Sequence, residues 1–382
     1  MEDIVRITSR KAALSGFATL SVAVLLAGCA TAPEEAPSGS PTAGANDFLP
    51  CMVSDSGGFD DKSFNQLGYE GLTTAAKDLG VKEKHVQSDA ETDYAPNINQ
   101  LLESGCNLII TVGFALAPAS LAAAKANPDV EFAIIDDAAD ATGAKDKDGK
   151  DTGDGKPDYP NIKPILFDTA QSAFLGGYAA ASYSKTGIVG TFGGLPFPSV
   201  TIFMDGFVDG VNYYNTKKNK NVQVLGWDVA TQNGSFTGGF AAGQEALGAA
   251  NALINKNADV ILPVGGPIYQ SAAAAVLDSK KDIALLGVDA DLFETDPKYQ
   301  NLFLTSILKG MKAGVETVVK DAAAKKFNNS PYVGTLENGG LGLAPFHSFQ
   351  SKVDPALQGE LDAIKKDIIS GAIKVESPSS PK

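Results

Sequence analysis

Histidine, cysteine and tryptophan are scarce in this chain of 382 residues, which has two His, three Cys and one Trp. His85 and His347 stand far apart, and neither lies at the carboxyl end of a predicted strand, so no metal cluster or histidine-based catalysis is indicated. A Gly-x-Ser-x-Gly motif is missing, which argues against a serine hydrolase. Blocks of Lys and Arg are absent as well, and with a formal net charge of −14 the chain is not expected to bind nucleic acid.

A hydrophobic run long enough to cross a bilayer is missing at the N-terminus. Ala12–Ala27 is too short and too rich in Ser, Gly and Ala for a good span, and three basic residues precede it. The run ends in Leu-Ala-Gly-Cys, which looks like a bacterial lipobox whose cysteine, Cys29, becomes lipidated. We therefore predict that residues 1–28 are a lipoprotein signal peptide; an uncleaved anchor is the alternative.

Residues 29–46 are rich in Pro, Ala, Gly and Ser and show no apolar periodicity, so they are predicted to form a flexible stalk. Lipidation at Cys29 would place the protein at the cell membrane, lipid-anchored, on its extracellular or periplasmic face. The remaining length is sufficient for two or three domains.

From Phe48 onward, strand-length apolar runs alternate with helical periodicity, and the alternation occurs twice. Such alternation predicts parallel strands with right-handed crossovers in two similar α/β lobes. The first series of strands is Phe48–Val53, His85–Ser88, Leu108–Val112, Glu131–Ile135 and Ile162–Phe167. The second series pairs helices with strands, including the helices Thr169–Ser184, Ser199–Asn215 and Phe236–Asn255 and the strands Gly187–Phe192, Val260–Val264 and Ile283–Val288.

The stretch Val53–Tyr69, which reads VSDSGGFDDKSFNQLGY, connects the first strand to the first helix. Ser63 and Gln66 have the spacing of a capping box, which predicts that the helix begins near Ser63. A helix N-terminus at the carboxyl end of a strand is where open α/β sheets bind ligands. A connecting loop with ordinary capping acids is the alternative.

The motif from Asp55 to Asn65 resembles the D-x-G-x-F-D/N-D-K-S-F-N sequence that opens the basic membrane protein family, also called PnrA-like. The resemblance extends to about Val375. It implies the type I periplasmic-binding-protein fold: two doubly wound α/β lobes joined by a three-crossing hinge. We place the N-terminal lobe at 47–168 plus 306–335 and the C-terminal lobe at 169–305 plus 336–376.

The same resemblance implies a substrate-binding lipoprotein of an ABC importer, which binds a purine nucleoside in the cleft between its lobes. Its partners would be two permease subunits and an ATPase. It implies no enzymatic activity, catalytic residue, cofactor or metal, and we expect a monomer. The alternatives are a binding protein for a sugar or another small ligand, a nucleoside or glycoside hydrolase with acids at strand ends, and a sensor that presents its bound state to another protein.

The resemblance assigns nucleoside contacts to residues at the strand ends: Asp55, Phe64, Asn65, Phe114, Asp136, Asp289 and Lys309. Gly265 is added as a candidate contact because a glycine after a strand permits close backbone approach. Phe64 would lie against the purine face, Asn65 would hydrogen-bond its edge, and Asp289 would accept from the ribose hydroxyls. The structural alternatives are a core position for Phe64, a helix cap for Asp289 and a surface position for Lys309. The choice between Asp136 and Asp137 stays open, with Asp136 preferred, and a second stacking aromatic is not placed.

Two further features are less directly tied to the cleft. Cys51 and Cys106 begin the first and third strands, which are neighbours in the implied fold, so we predict a disulfide between them; two buried free thiols are the alternative. The acidic insert Asp146–Asp158 is predicted to be a solvated loop, with a calcium site as the alternative.

Overall fold

The computed structural model describes residues 47–142 and 153–381; the predicted signal peptide (1–28) and stalk (29–46), with Cys29, lie outside the described residues. In chain order the strands are β1 (Pro50–Val53), β2 (Lys84–Val86), β3 (Leu108–Val112), β4 (Glu131–Ile135), β5 (Ile162–Phe167), β6 (Ile188–Gly193), β7 (Gln223–Leu225), β8 (Trp227–Asp228), β9 (Asn233–Gly234), β10 (Val260–Val264), β11 (Ala284–Asp289), β12 (Phe303–Lys309), β13 (Tyr332–Gly334) and β14 (Leu341–Leu343). The α-helices are α1 (Phe64–Leu79), α2 (Tyr94–Glu103), α3 (Ala117–Ala126), α4 (Ala170–Tyr183), α5 (Pro198–Lys218), α6 (Gln244–Asn255), α7 (Ile268–Ser279), α8 (Leu292–Thr295), α9 (Met311–Ala323) and α10 (Leu357–Ile369).

The described strands form two six-stranded sheets and a small hairpin of β8 and β9. The first sheet has the order β13-β5-β4-β3-β1-β2, and the second has the order β14-β12-β11-β10-β6-β7. Neighbouring strands in both sheets run parallel, except that β14 lies antiparallel to β12. The central strands β3 and β10 are buried along their whole length, as expected for sheets covered by helices on both faces. The predicted mixed α/β fold with parallel sheets is confirmed.

The chain crosses between the sheets three times: from β5 to α4, from β12 to α9 and from β13 to β14. Strand β12 pairs with β11 as far as Leu308, and Lys309 pairs with Leu341 of β14, so the second crossing begins after Lys309. Our predicted lobe boundary at 305/306 therefore falls inside a strand of the second sheet. The apolar sequence of β12 gives no sign of which sheet it joins.

Helices α4 and α5 lie unusually close together on the second sheet. A Cβ atom at Gly177 would lie 2.0 Å from the carbonyl oxygen of Phe207, and one at Gly210 would lie 2.0 Å from that of Phe174. Only glycine permits this approach, so the small residues of these helices are packing residues. The contact fixes α5, whose first turn faces the cleft described below.

Two local predictions are corrected by the structure. The helix predicted to begin at Phe236 begins at Gln244, because the glycine-rich residues before it adopt an irregular path. The predicted capping box is also wrong, since the Ser63 side chain makes no cap hydrogen bond. The Asp61 carboxylate instead accepts from the backbone N–H groups of Ser63, Asn65 and Gln66, at 3.0, 2.9 and 3.1 Å.

A disulfide joins Cys51 in β1 to Cys106, just before β3, with the two Cα atoms 6.0 Å apart. The two strands are hydrogen-bonded neighbours in the first sheet. Both cysteines lie toward the amino ends of these strands, and so at the edge opposite the loops that follow them.

Candidate functional site

The loops after the strands of both sheets meet in a cleft, which we call the inner cleft. Seven of the eight residues predicted to contact a ligand line it: Asp55, Phe64, Phe114, Asp136, Gly265, Asp289 and Lys309. The other lining residues are Ser199, Val200, Phe203, Phe240, Val264 and Val288. A wider outer cleft adjoins it and is lined by Asn65, Tyr94, Phe197 and others. Residues widely separated in sequence thus converge because the ends of parallel strands share one edge.

Lys309 lies between two carboxylates in the inner cleft. Its Nζ is 2.5 Å from Asp136 Oδ2 and 3.8 Å from Asp289 Oδ1. The Lys309 side chain is 2% exposed, so the alternative of a surface lysine is excluded for this residue. Asp289 forms no helix cap; the carboxylate of Asp291 caps α8 instead, accepting from Phe293 N–H.

Asp136 and Asp289 occupy equivalent places at the ends of β4 and β11. Both adopt left-handed backbone conformations, with φ of +66° and +67°. A residue other than glycine in this region costs of order 1–3 kcal/mol, and such strain accumulates at functional sites. The neighbouring Asp137 does not line the inner cleft, because its carboxylate accepts from Ala139 N–H at 2.7 Å.

Burial shifts the pKa values of the carboxylic acids in the cleft upward. Burial raises the pKa of Asp289 to about 6, although the Lys309 ammonium opposes this shift. Burial raises the pKa of Asp55 to about 6 as well, against hydrogen bonds from Gly57 and Asn65 that favour its charged form. The pKa of Asp136 is also raised by burial, with Lys309 again opposing. Asp55 and Asp289 are therefore acids whose charge changes near pH 6.

Asn65 was predicted to contact the ligand, but it does not line the inner cleft; it lines the outer cleft. Its amide Nδ2 donates to Asp55 Oδ1 at 2.7 Å and to Asp61 Oδ2 at 3.0 Å, and its Oδ1 accepts from the backbone N–H of Asp55. Both amide hydrogens are thus used within the protein. Asn65 links the helix cap to Asp55 and orients that carboxylate toward the cleft.

Aromatic side chains from both lobes wall the inner cleft beside the charged group of Lys309, Asp136 and Asp289. Phe64 comes from the first lobe, and Phe203 and Phe240 come from the second. The Lys309 Nζ lies 5.1 Å from the ring centroid of Phe64 and 5.7 Å from that of Phe203. Gly265, at φ +141°, leaves room for Phe240, since a Cβ atom there would lie 2.6 Å from the Phe240 ring.

Phe203 and Phe240 were not among the ligand contacts predicted from the sequence. Phe203 lies in the second turn of α5, and Phe240 lies in the segment predicted to be the start of a helix. The glycines at Gly238, Gly239 and Gly243 were the available signal that a loop carries Phe240.

A family model described as "ABC transporter substrate-binding protein PnrA-like" matches residues 48–377. The chain belongs to this family. It is 31% identical to the "ABC transporter nucleoside-binding protein BmpA" of Lactococcus lactis subsp. cremoris, over 96% of this chain and 99% of that protein. It is 25% identical to "Basic membrane protein A1" of Borrelia garinii subsp. bavariensis, over 84% of this chain and 86% of that protein.

Solved structures show the same fold. An ABC transporter solute-binding protein from Aeropyrum pernix K1 superposes with a TM-score of 0.72 at 22% identity, covering 87% of this chain and 94% of the other. This agreement supports the architecture of periplasmic solute-binding proteins.

Membership of the PnrA-like family makes the chain a substrate-binding protein of an ABC transporter and not an enzyme, so the hydrolase alternative is set aside. That role implies a small-molecule ligand and a permease and an ATPase as partners. Among the described helices, none combines the length and apolar content that a bilayer span requires. In residues 47–142 and 153–381 there is also no grouping of three His, Cys, Asp or Glu side chains suited to a metal ion; part of the insert Asp146–Asp158 lies outside these ranges.

Proposed function

We propose that the inner cleft binds a purine nucleoside and that the lobes close around it. The observation that carries this proposal is that one cleft combines aromatic walls with a buried charged group. Phe64, Phe203 and Phe240 line the cleft, and the ammonium of Lys309, held with Asp136 and Asp289, lies 5.1 Å from the Phe64 ring centroid. A flat heterocycle fits against the rings, and the vicinal hydroxyls of a ribose fit against the carboxylates.

Each proposed contact has a physical basis. Phe64 stacks on the base, and base–aromatic stacking contributes about 1–3 kcal/mol. Asp289 accepts hydrogen bonds from the ribose hydroxyls, while Lys309 holds Asp136 in place and donates to the sugar. Asp55, oriented by Asn65, accepts from an N–H group on the base edge.

We further propose that the protein is a lipoprotein anchored through Cys29 outside the cytoplasm. There it would deliver its ligand to the permease after closure. The name of the Lactococcus lactis relative, a nucleoside-binding protein, supports the proposed ligand class.

Calorimetric titration of ligand-stripped protein tests the ligand class, with adenosine, guanosine, inosine, uridine and ribose as ligands. We expect purine nucleosides to bind most tightly. Phe64→Ala should weaken their binding by about 1–3 kcal/mol. Asp289→Asn should weaken nucleosides by about 1–3 kcal/mol and free bases hardly at all. Ribose binding as tightly as the nucleosides would favour a sugar-binding protein instead.

A further inference from the structure

Outside the inner cleft, a hydroxyl group of the second lobe forms a hydrogen bond with the backbone of the first lobe. The Thr295 hydroxyl, at the end of α8, donates to the carbonyl oxygen of Lys62 at 2.7 Å. Lys62 precedes α1 and has a left-handed φ of +64°. Neither residue lines the inner cleft. The contact therefore joins the two lobes without reaching the proposed ligand position.

Two phenylalanine rings join the lobes at the mouth of the cleft. Phe114, which follows β3 in the first lobe, stacks on Phe197, which precedes α5 in the second; their ring centroids are 3.9 Å apart and the planes 28° apart. Phe197 is 39% exposed and lines the outer cleft, not the inner one. Because the two rings belong to opposite lobes, their stacking is a contact that separation of the lobes would break.

We propose that these two contacts form a clasp, Thr295–Lys62 and Phe197–Phe114, that holds the closed conformation and sets the rate of ligand release. This inference rests on the proposed function of the cleft. Interactions present only in the closed state shift the open–closed equilibrium toward closure, whatever the ligand is. Thr295 and Phe197 are thus positioning residues that govern affinity without contacting the ligand.

The Ser63 side chain also contacts the opposite lobe, but a substitution of Ser63 would be a poor test of the clasp. Its hydroxyl donates to the carbonyl oxygen of Val288 at 3.1 Å and lies 3.3 Å from Asp289 Oδ2. A change at Ser63 would therefore disturb the proposed ribose site together with closure. Thr295→Val separates the two effects, because neither Thr295 nor Lys62 lines the inner cleft. Phe197→Ala is the less selective variant, since its stacking partner Phe114 also lines the inner cleft.

The test compares Thr295→Val and Phe197→Ala with two matched controls. Thr317→Val removes an exposed hydroxyl that donates to Ala313 within α9, and Leu277→Ala shortens an exposed side chain of α7. Stopped-flow displacement gives the nucleoside dissociation rate, and calorimetry gives Kd. Each clasp variant should raise the dissociation rate and Kd about 2- to 10-fold. The order of affinities among adenosine, guanosine, inosine and uridine should stay the same, and the controls should match the unmodified protein.

An unchanged dissociation rate in both clasp variants, or a changed order of affinities in Thr295→Val, would overturn the proposal. Small-angle scattering adds a readout that is independent of the ligand's identity: the clasp variants should have a larger radius of gyration than the unmodified protein and the controls. If the unmodified protein binds no nucleoside, the proposed function fails, and the scattering comparison alone decides on the clasp. Equal radii would then reject it.

Discussion

The two aspartates at the ends of β4 and β11 combine backbone strain with buried charge. Their left-handed conformations turn both carboxylates toward Lys309, which supplies a single positive charge for two negative ones. Asp55 adds a third acid to the same cleft. Burial is the main cause that raises the pKa values of Asp55 and Asp289 to about 6, and neighbouring carboxylates add to it: Asp61 for Asp55, and Asp136 with Asp61 for Asp289.

These pKa values predict that nucleoside affinity depends on pH. Ligand N–H and O–H groups need ionised carboxylates as acceptors, so protons compete with the ligand below about pH 6. Affinity should be constant between pH 7 and 8 and fall as the pH drops, by at most about tenfold per pH unit for each carboxyl involved. Calorimetry between pH 5 and 8 measures how log Kd changes with pH, and the Asp289→Asn variant should show a smaller change. Affinity that stays level down to pH 5 would contradict the proposed role of these acids.

At the scale of single elements, the start of α1 depends on one buried carboxylate. Asp61 accepts hydrogen bonds from three backbone N–H groups and from the Asn65 amide. Asp61→Ala should lower the free energy of unfolding by about 1–3 kcal/mol, because the cap is removed and buried donors are left without acceptors. It should also weaken nucleoside binding, since Asn65 no longer holds Asp55.

Urea denaturation monitored by circular dichroism checks this prediction. Asp60→Ala is the matched control: its side chain is 89% exposed and its ion pair with Lys62 lies on the surface. Equal unfolding midpoints for Asp60→Ala and Asp61→Ala would show that Asp61 is not the cap of α1.

Regular elements with strong apolar patterns were predictable from the sequence, whereas the cap and part of the aromatic wall were not. The predicted bounds of Leu108–Val112 and Val260–Val264 match the structure, because central strands of parallel sheets form continuous apolar runs. Asp61 was missed because Ser63 offered a capping box of the right spacing. Phe240 was missed because the apolar and small residues around it also fit a helical period.

At the scale of the whole molecule, the repeated strand–helix alternation predicted the two sheets, since each β-α-β unit favours one parallel arrangement. The points at which the chain crosses between the two sheets were harder to predict from the sequence. Whether β12 belongs to the first or the second sheet is decided by its pairing with β11, a contact between distant elements that its own sequence does not encode.

The proposed lipid anchor at Cys29 can be tested with variants of the full-length protein. Cys29→Ser should abolish lipidation, so the protein should become soluble or accumulate as the uncleaved precursor. Cell fractionation followed by mass spectrometry of the intact protein distinguishes these outcomes. Thr31→Ala, two residues beyond the cysteine, should remain in the membrane fraction. Retention of Cys29→Ser in the membrane at mature size would exclude lipidation at this residue.

The buried group of Asp136, Asp289 and Lys309 affects how the closed protein releases its ligand. Its charged atoms are largely removed from water when the lobes are together. Opening the cleft admits water, and the ammonium and both carboxylates regain their hydration. This hydration offsets part of the free energy needed to break the protein's hydrogen bonds to the ligand. The charges that we propose to hold the ribose in the closed cleft therefore also lower the free energy needed to open it when a permease separates the lobes.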